Sequence, residues 1–121
     1  MTIRDKKKAY AIKRRLLEQL KEEHALWSYN TTALTPDTVG DEHLIAMTMR
    51  YLDLDEIRQI FMIYPKRKIK ETWQRILVPE GDYLYTLNRF FAWYYFDAKR
   101  PDAYLKSLIT RNINRTITKN A

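Results

Sequence analysis

An all-α fold, a compact single-domain bundle of five or six helices, is what this sequence predicts, and three observations carry the prediction. Apolar residues recur at steps of three and four over most of the chain. Only two glycines occur, Gly40 and Gly81, each where one apolar stripe stops and another starts. Pro65 and Pro101 stand where a proline opens a helix readily, because its missing N–H would be unsatisfied there anyway. With 121 residues and 45% apolar side chains, the chain is long enough for one core and too short for two independent ones.

The first element is a basic helix over residues 4–24. Ala9, Tyr10, Leu16, Leu17 and Leu20 share one side of it, and Arg4, Lys7, Lys8, Arg14, Arg15 and Lys21 share the other. Lys6 and Lys13 intrude on the apolar side, so packing is expected to begin near Tyr10. Residues 26–41, rich in Thr, Asn, Asp and Pro, read as a loop anchored by Leu26, Trp27 and Tyr29. Asp41 is then placed to cap a helix carrying Leu44, Ile45, Met49 and Leu52. Asp53 and Glu56 have the spacing of a capping box, ahead of the stripe Ile57, Ile60, Phe61 and Tyr64. Pro65 ends that helix and opens one to about Leu77 that buries Ile69, Trp73, Ile76 and Leu77. Asp82 is expected to cap a helix through Phe96 with a core stripe of Leu84, Leu87, Phe91 and Tyr94. Pro101 starts a shorter helix with Tyr104, Leu105, Leu108 and Ile109. The core thus spans 26–109, and residues 112–121, dominated by Thr, Asn and Arg, are expected to form a disordered tail.

The formal charge of +7 is distributed in blocks. Residues 1–21 carry eight Lys or Arg against two acids, and 22–64 carry two against eight. Residues 65–78 carry five against one. A basic block serves an anionic partner, or pairs with the acidic block of the same chain or of a second copy. No apolar stretch approaches the roughly 20 residues of a membrane span, and the N-terminus lacks the apolar region of a secretory signal, so a cytoplasmic location is expected. Cysteine is absent, which excludes disulfides and thiolate chemistry. Ser28 and Ser107 sit in no nucleophile motif, and no glycine-rich loop is present to cradle a phosphate. His24 and His43 lack ligand spacing, and capping accounts for Asp53, Asp55 and Glu56. The expectation is therefore a protein with no catalytic residue, metal or cofactor, working by binding.

Two features stand out as binding surfaces. The helix pair 54–64 and 65–77 has the proportions of a helix-turn-helix, and its second member places Arg67, Lys70, Gln74 and Arg75 away from the apolar stripe. The Arg and Lys side chains suit phosphates and Gln74 suits a base edge, although the same face also reads as ordinary solvated helix surface. The second feature is Phe-Phe-Ala-Trp-Tyr-Tyr-Phe at 90–96, more aromatic surface than one helix stripe hides. Tyr85, Arg89, Trp93 and Phe96 group on a second face. That composition belongs to a protein interface, to a base-stacking platform, or to a central helix buried all round. The leading expectation is a protein-interaction module, taking a partner or forming a homo-oligomer through Tyr85, Arg89, Trp93 and Phe96. The alternative is a nucleic-acid-binding regulator using the basic helix 65–77.

Leu-Trp-Ser-Tyr-Asn (26–30), Leu-Asp-Glu-Ile-Arg (54–58), Tyr-Pro-Lys-Arg-Lys-Ile-Lys-Glu-Thr-Trp (64–73) and Asn-Arg-Phe-Phe-Ala-Trp (88–93) resemble the landmarks of a family of small uncharacterised bacterial helical proteins. The resemblance covers residues 26–96. Members of that family are often encoded beside nucleotidyltransferase-like toxins, so the resemblance implies an antitoxin or toxin-partner role by association. It carries over no functional residues.

Overall fold

A computed structural model describes residues 5–23 and 35–120, with side chains through Arg111. The described residues form α-helices α1 (Lys6–Glu22), α2 (Asp41–Tyr51), α3 (Leu54–Ile63), α4 (Lys66–Thr72), α5 (Tyr85–Tyr94) and α6 (Pro101–Asn120). Between α4 and α5 lie a π-helical turn, Trp73–Leu77, and a 3-10 segment, Val78–Leu84. The fold is all-α, as the periodicity predicts. The chain divides into two compact units, Met1–Thr72 and Trp73–Ala121.

In the first unit α2 packs on α1, α3 and α4. Asp5 caps α1 by accepting from the Lys7 amide at 2.9 Å. The side chains that α1 buries are Leu16, Leu17 and Leu20, while Tyr10 is exposed, so packing starts two turns later than the stripe predicts. Lys13 reaches the Asp41 carboxylate at 3.7 Å, which explains how a cation sits on that side of the helix. Asp41 does not cap α2; Gly40 takes the cap position and Asp41 lies in the first turn. Freed from the cap, its carboxylate accepts from Tyr64 Oη and from Lys68 Nζ, each at 2.9 Å. Asp53 does hold the cap position of α3, but without a side-chain bond to the helix. Glu56 accepts instead from Gln19 Nε2 of α1 at 2.9 Å, spending the expected capping box on a tertiary contact.

The helix expected over 65–77 is not one regular helix. α4 ends at Thr72 and the ladder widens into the π turn. Pro79 gives the physical reason: it has no N–H to donate to the Arg75 carbonyl, and its ring crowds that carbonyl. Gly81 then adopts φ 62°, ψ −129°, a kink inside the 3-10 segment. Thus Leu84, and not Asp82, stands at the start of α5.

In the second unit α5 and α6 pack on each other and on the 3-10 segment. Trp73 is fully buried, its ring 4.7 Å from Phe96 and stacked at 6.4 Å on Tyr104. Its indole N–H donates to Asn88 Oδ1 at 3.0 Å, and Asn88 Nδ2 donates to the Leu77 carbonyl at 2.9 Å. One buried amide thereby ties the π turn to α5. Pro101 opens α6 as expected, but the helix runs to Asn120, through residues 112–120 where the sequence suggests a disordered tail. Ile109, Ile113 and Ile117 recur there at steps of four, and no Gly or Pro interrupts them. The loop anchors Leu26, Trp27 and Tyr29, together with His24 and Ser28, lie outside the described residues.

Candidate functional site: the outer face of α5

Helix α5 turns Leu84, Asn88, Phe91 and Ala92 inward. Asn88 takes a place in this stripe because Trp73 needs an acceptor for its indole N–H and the π turn leaves the Leu77 carbonyl needing a donor. The inward stripe is thereby filled, and the remaining aromatics of 90–96 cannot all join it. Trp93 is 61% exposed and Tyr94 54% exposed. Phe90, half-buried, sits between them, its ring 5.1 Å from Tyr94 and 6.4 Å from Trp93. Tyr95 meets Tyr94 edge-on at 4.8 Å, and its hydroxyl is pushed up to about 12 by burial and by Tyr94.

Two expected roles are therefore exchanged. Phe96, expected on the outer face, is 7% exposed and packs on Trp73. Tyr94, expected in the core stripe, is on the surface. The outer face consists of Arg89, Phe90, Trp93 and Tyr94, with Tyr85 at its edge. The sequence signal for this surface is the length of the aromatic run. The signal for Asn88 is weaker, an amide at a core position of the wheel.

Tyr85 and Arg89 converge on one carboxylate. The Tyr85 hydroxyl donates to Asp102 Oδ1, and Arg89 Nε lies 3.1 Å from the same oxygen. The Tyr85 hydrogen bond and then Arg89 hold the Asp102 carboxyl below its usual range, and Asp102 in turn raises Tyr85. Because Asp102 belongs to the first turn of α6, this pair fastens α6 to α5 and fixes where Arg89 points. Beside it, Thr86, Arg89, Phe90, Trp93, Lys99 and Pro101 line an open cleft of about 490 Å³. Lys99 and Arg100 are exposed, and neither has a carboxylate partner among the described residues.

The residues expected to read nucleic acid are not assembled into one free face. Arg67 pairs with Glu71 at 3.1 Å, and Gln74 donates to Tyr104 Oη at 3.1 Å. Lys70 is half-buried, and Arg75 is exposed beyond the point where α4 gives way to the π turn. Ile76, expected in the core, is exposed. Arg67 and Lys70 thus belong to α4 in the first unit, and Gln74 and Arg75 to the π turn in the second. The first turns of α1 are the more open cationic surface: Lys6, Lys7, Lys8 and Arg15 are exposed, with no acid partner among the described residues. No helix among the described residues is long and apolar enough to cross a membrane. Comparison with protein-family models, with curated proteins and with solved structures finds no match for this chain.

Proposed function

We propose that the protein is a non-enzymatic binding module that holds a protein partner on the outer face of α5. One observation carries the reading: Trp93 and Tyr94 stay largely in water although the helix beneath them has a filled core stripe. Two large exposed rings flanking Phe90, beside an arginine fixed by Asp102, have the composition of an interface anchor, where Trp, Tyr and Arg supply most of the binding energy. An exposed patch of this kind on a small domain is costly to keep in water unless something covers it. The antitoxin-like association implied by the family resemblance is compatible with this reading, and so is a second copy of the chain.

The test is a photo-crosslinking amino acid placed at position 94 in cells, with position 67 as the exposed control. Adducts at 94 that survive nuclease, disappear with protease and are lost when Trp93→Ser is added support the reading. Nuclease-sensitive adducts, or adducts no more frequent than at position 67, overturn it.

A second reading rests on Lys6, Lys7, Lys8 and Arg15. It moves the nucleic-acid surface from helix 65–77 to α1. Four released counterions correspond to a salt slope of about −3.6 for duplex DNA. Fluorescence anisotropy at several salt concentrations tests it: Lys6→Glu, Lys7→Glu and Lys8→Glu together should abolish binding, while Arg67→Glu with Arg75→Glu should spare it.

A further inference from the structure

The cleft beside Trp93 combines two apolar rings with cations that the fold leaves open, and this combination selects among partners. Arg89, Phe90 and Trp93 line it from α5, and Lys99 and Pro101 line it from the segment that leads into α6 and from the first residue of α6. Arg100, next to Lys99 in sequence, is exposed but is not itself among the lining residues. Among the described residues, only Arg89 of these three cations is matched by an acid, Asp102, which lies 3.1 Å away. One unmatched cation, Lys99, therefore lines the cleft beside an indole that is more than half exposed, and exposed Arg100 adjoins it in sequence. Asp97, the nearest other acid in sequence, is not among the lining residues.

Resting on the reading of the α5 face as a protein-binding surface, we infer that this cleft takes an acidic segment of the partner. Its carboxylates lie against Lys99 and Arg100, and an adjacent aliphatic or aromatic side chain covers Trp93 and Phe90. Charge decides against a nucleic-acid strand at this place. A groove that tracks a phosphate chain carries positive charge along its length, and here the uncompensated charge is confined to Lys99 and its sequence neighbour Arg100. Two charges match the carboxylates of a short acidic stretch, and the rings match its apolar neighbour. Arg89, hydrogen-bonded to Asp102, lines the same cleft.

The experiment is an NMR titration of the ¹⁵N-labelled full chain with three probes. They are a short synthetic peptide with glutamates around one Phe and one Leu, the same peptide with every Glu replaced by Gln, and an oligothymidylate. The Trp93 indole signal is assigned from a Trp93→Phe protein. The expected result is that the acidic peptide shifts the Trp93 indole and the Lys99 and Arg100 amides, with affinity about tenfold or more above the glutamine peptide at low salt. Lys99→Glu with Arg100→Glu should abolish those shifts, and the milder Lys99→Gln with Arg100→Gln pair should weaken them. Glutamine and acidic peptides binding alike, an acidic peptide whose shifts map to α1, or no shift at millimolar peptide would each overturn the inference. So would tighter binding of oligothymidylate at the same signals. If the position-94 adducts are protein and the acidic peptide fails, the inference falls and the protein-binding reading stands; nuclease-sensitive adducts remove both.

Discussion

At Gly81 the backbone holds φ 62° with ψ −129°, a conformation that L residues rarely adopt, and a methyl group added there meets no atom within 4 Å. Gly81→Ala therefore isolates backbone strain, and urea denaturation should show a loss of about 1–3 kcal/mol. Asn88 is a second point where one side chain decides local structure. Asn88→Leu keeps the volume but leaves the Trp73 indole N–H and the Leu77 carbonyl without their partners. The expected cost is about 2–4 kcal/mol, read from the same denaturation curve. Thr48 has the opposite sign. It is fully buried and its hydroxyl oxygen has no hydrogen-bond partner, so Thr48→Val should hold or raise stability, by up to about 1 kcal/mol. A clear loss on that substitution would show that the hydroxyl is satisfied in solution.

Among the elements, helix positions were legible wherever a 3.6-residue stripe met a punctuating residue. Pro65, Pro101 and Gly40 mark boundaries that the structure keeps, and Leu16, Leu17, Leu20, Leu44, Ile45, Met49, Ile57 and Ile60 are buried as their spacing predicts. Caps were less legible, because a carboxylate near a helix start has competing uses. Asp41 bonds Tyr64 and Lys68, and Glu56 accepts from Gln19, neither of which sequence spacing reveals. Periodicity also missed the π turn. Pro79, which stops the α-helical ladder, lies beyond the turn itself, and within the altered winding Ile76 is exposed. On α5 the aromatic run announced a second face, but Phe96 lies beyond the helix end at Tyr94 and is buried on Trp73, while Tyr94 is exposed. For α1, burial concentrated in Leu16, Leu17 and Leu20 has a direct consequence. Leu16→Ala should cost about 2–5 kcal/mol, and Asp5→Ala only about 1 kcal/mol through loss of the cap.

For the molecule, acid sensitivity follows from two carboxylates, one in each unit. Burial pushes the Asp41 carboxyl up, but hydrogen bonds from Lys68 and Tyr64 and the charges of Lys68 and Lys13 outweigh it and hold it below its usual value of 3.8. Tyr64 is raised by burial and by Asp41. Asp102 is held low by Tyr85 and Arg89. A group whose folded value is depressed stabilises the fold fully above its unfolded value, and that stability disappears as pH falls through the folded one. The denaturation midpoint should therefore be flat near neutrality and fall as the solution is acidified below about pH 5, and Asp41→Asn should flatten much of that fall. Neither carboxylate touches Trp93 or Tyr94 in the described contacts, although Asp102 holds Arg89 of the same face, so the two exposed rings are the part of the proposed binding face on which the fold does not draw. Urea denaturation of Trp93→Ser with Tyr94→Ser at dilute protein tests that separation most directly. Stability should stay within about 0.5 kcal/mol of the parent chain, as for surface substitutions. A loss of about 2 kcal/mol or more, of the size expected for core rings, would contradict it and return these aromatics to the fold.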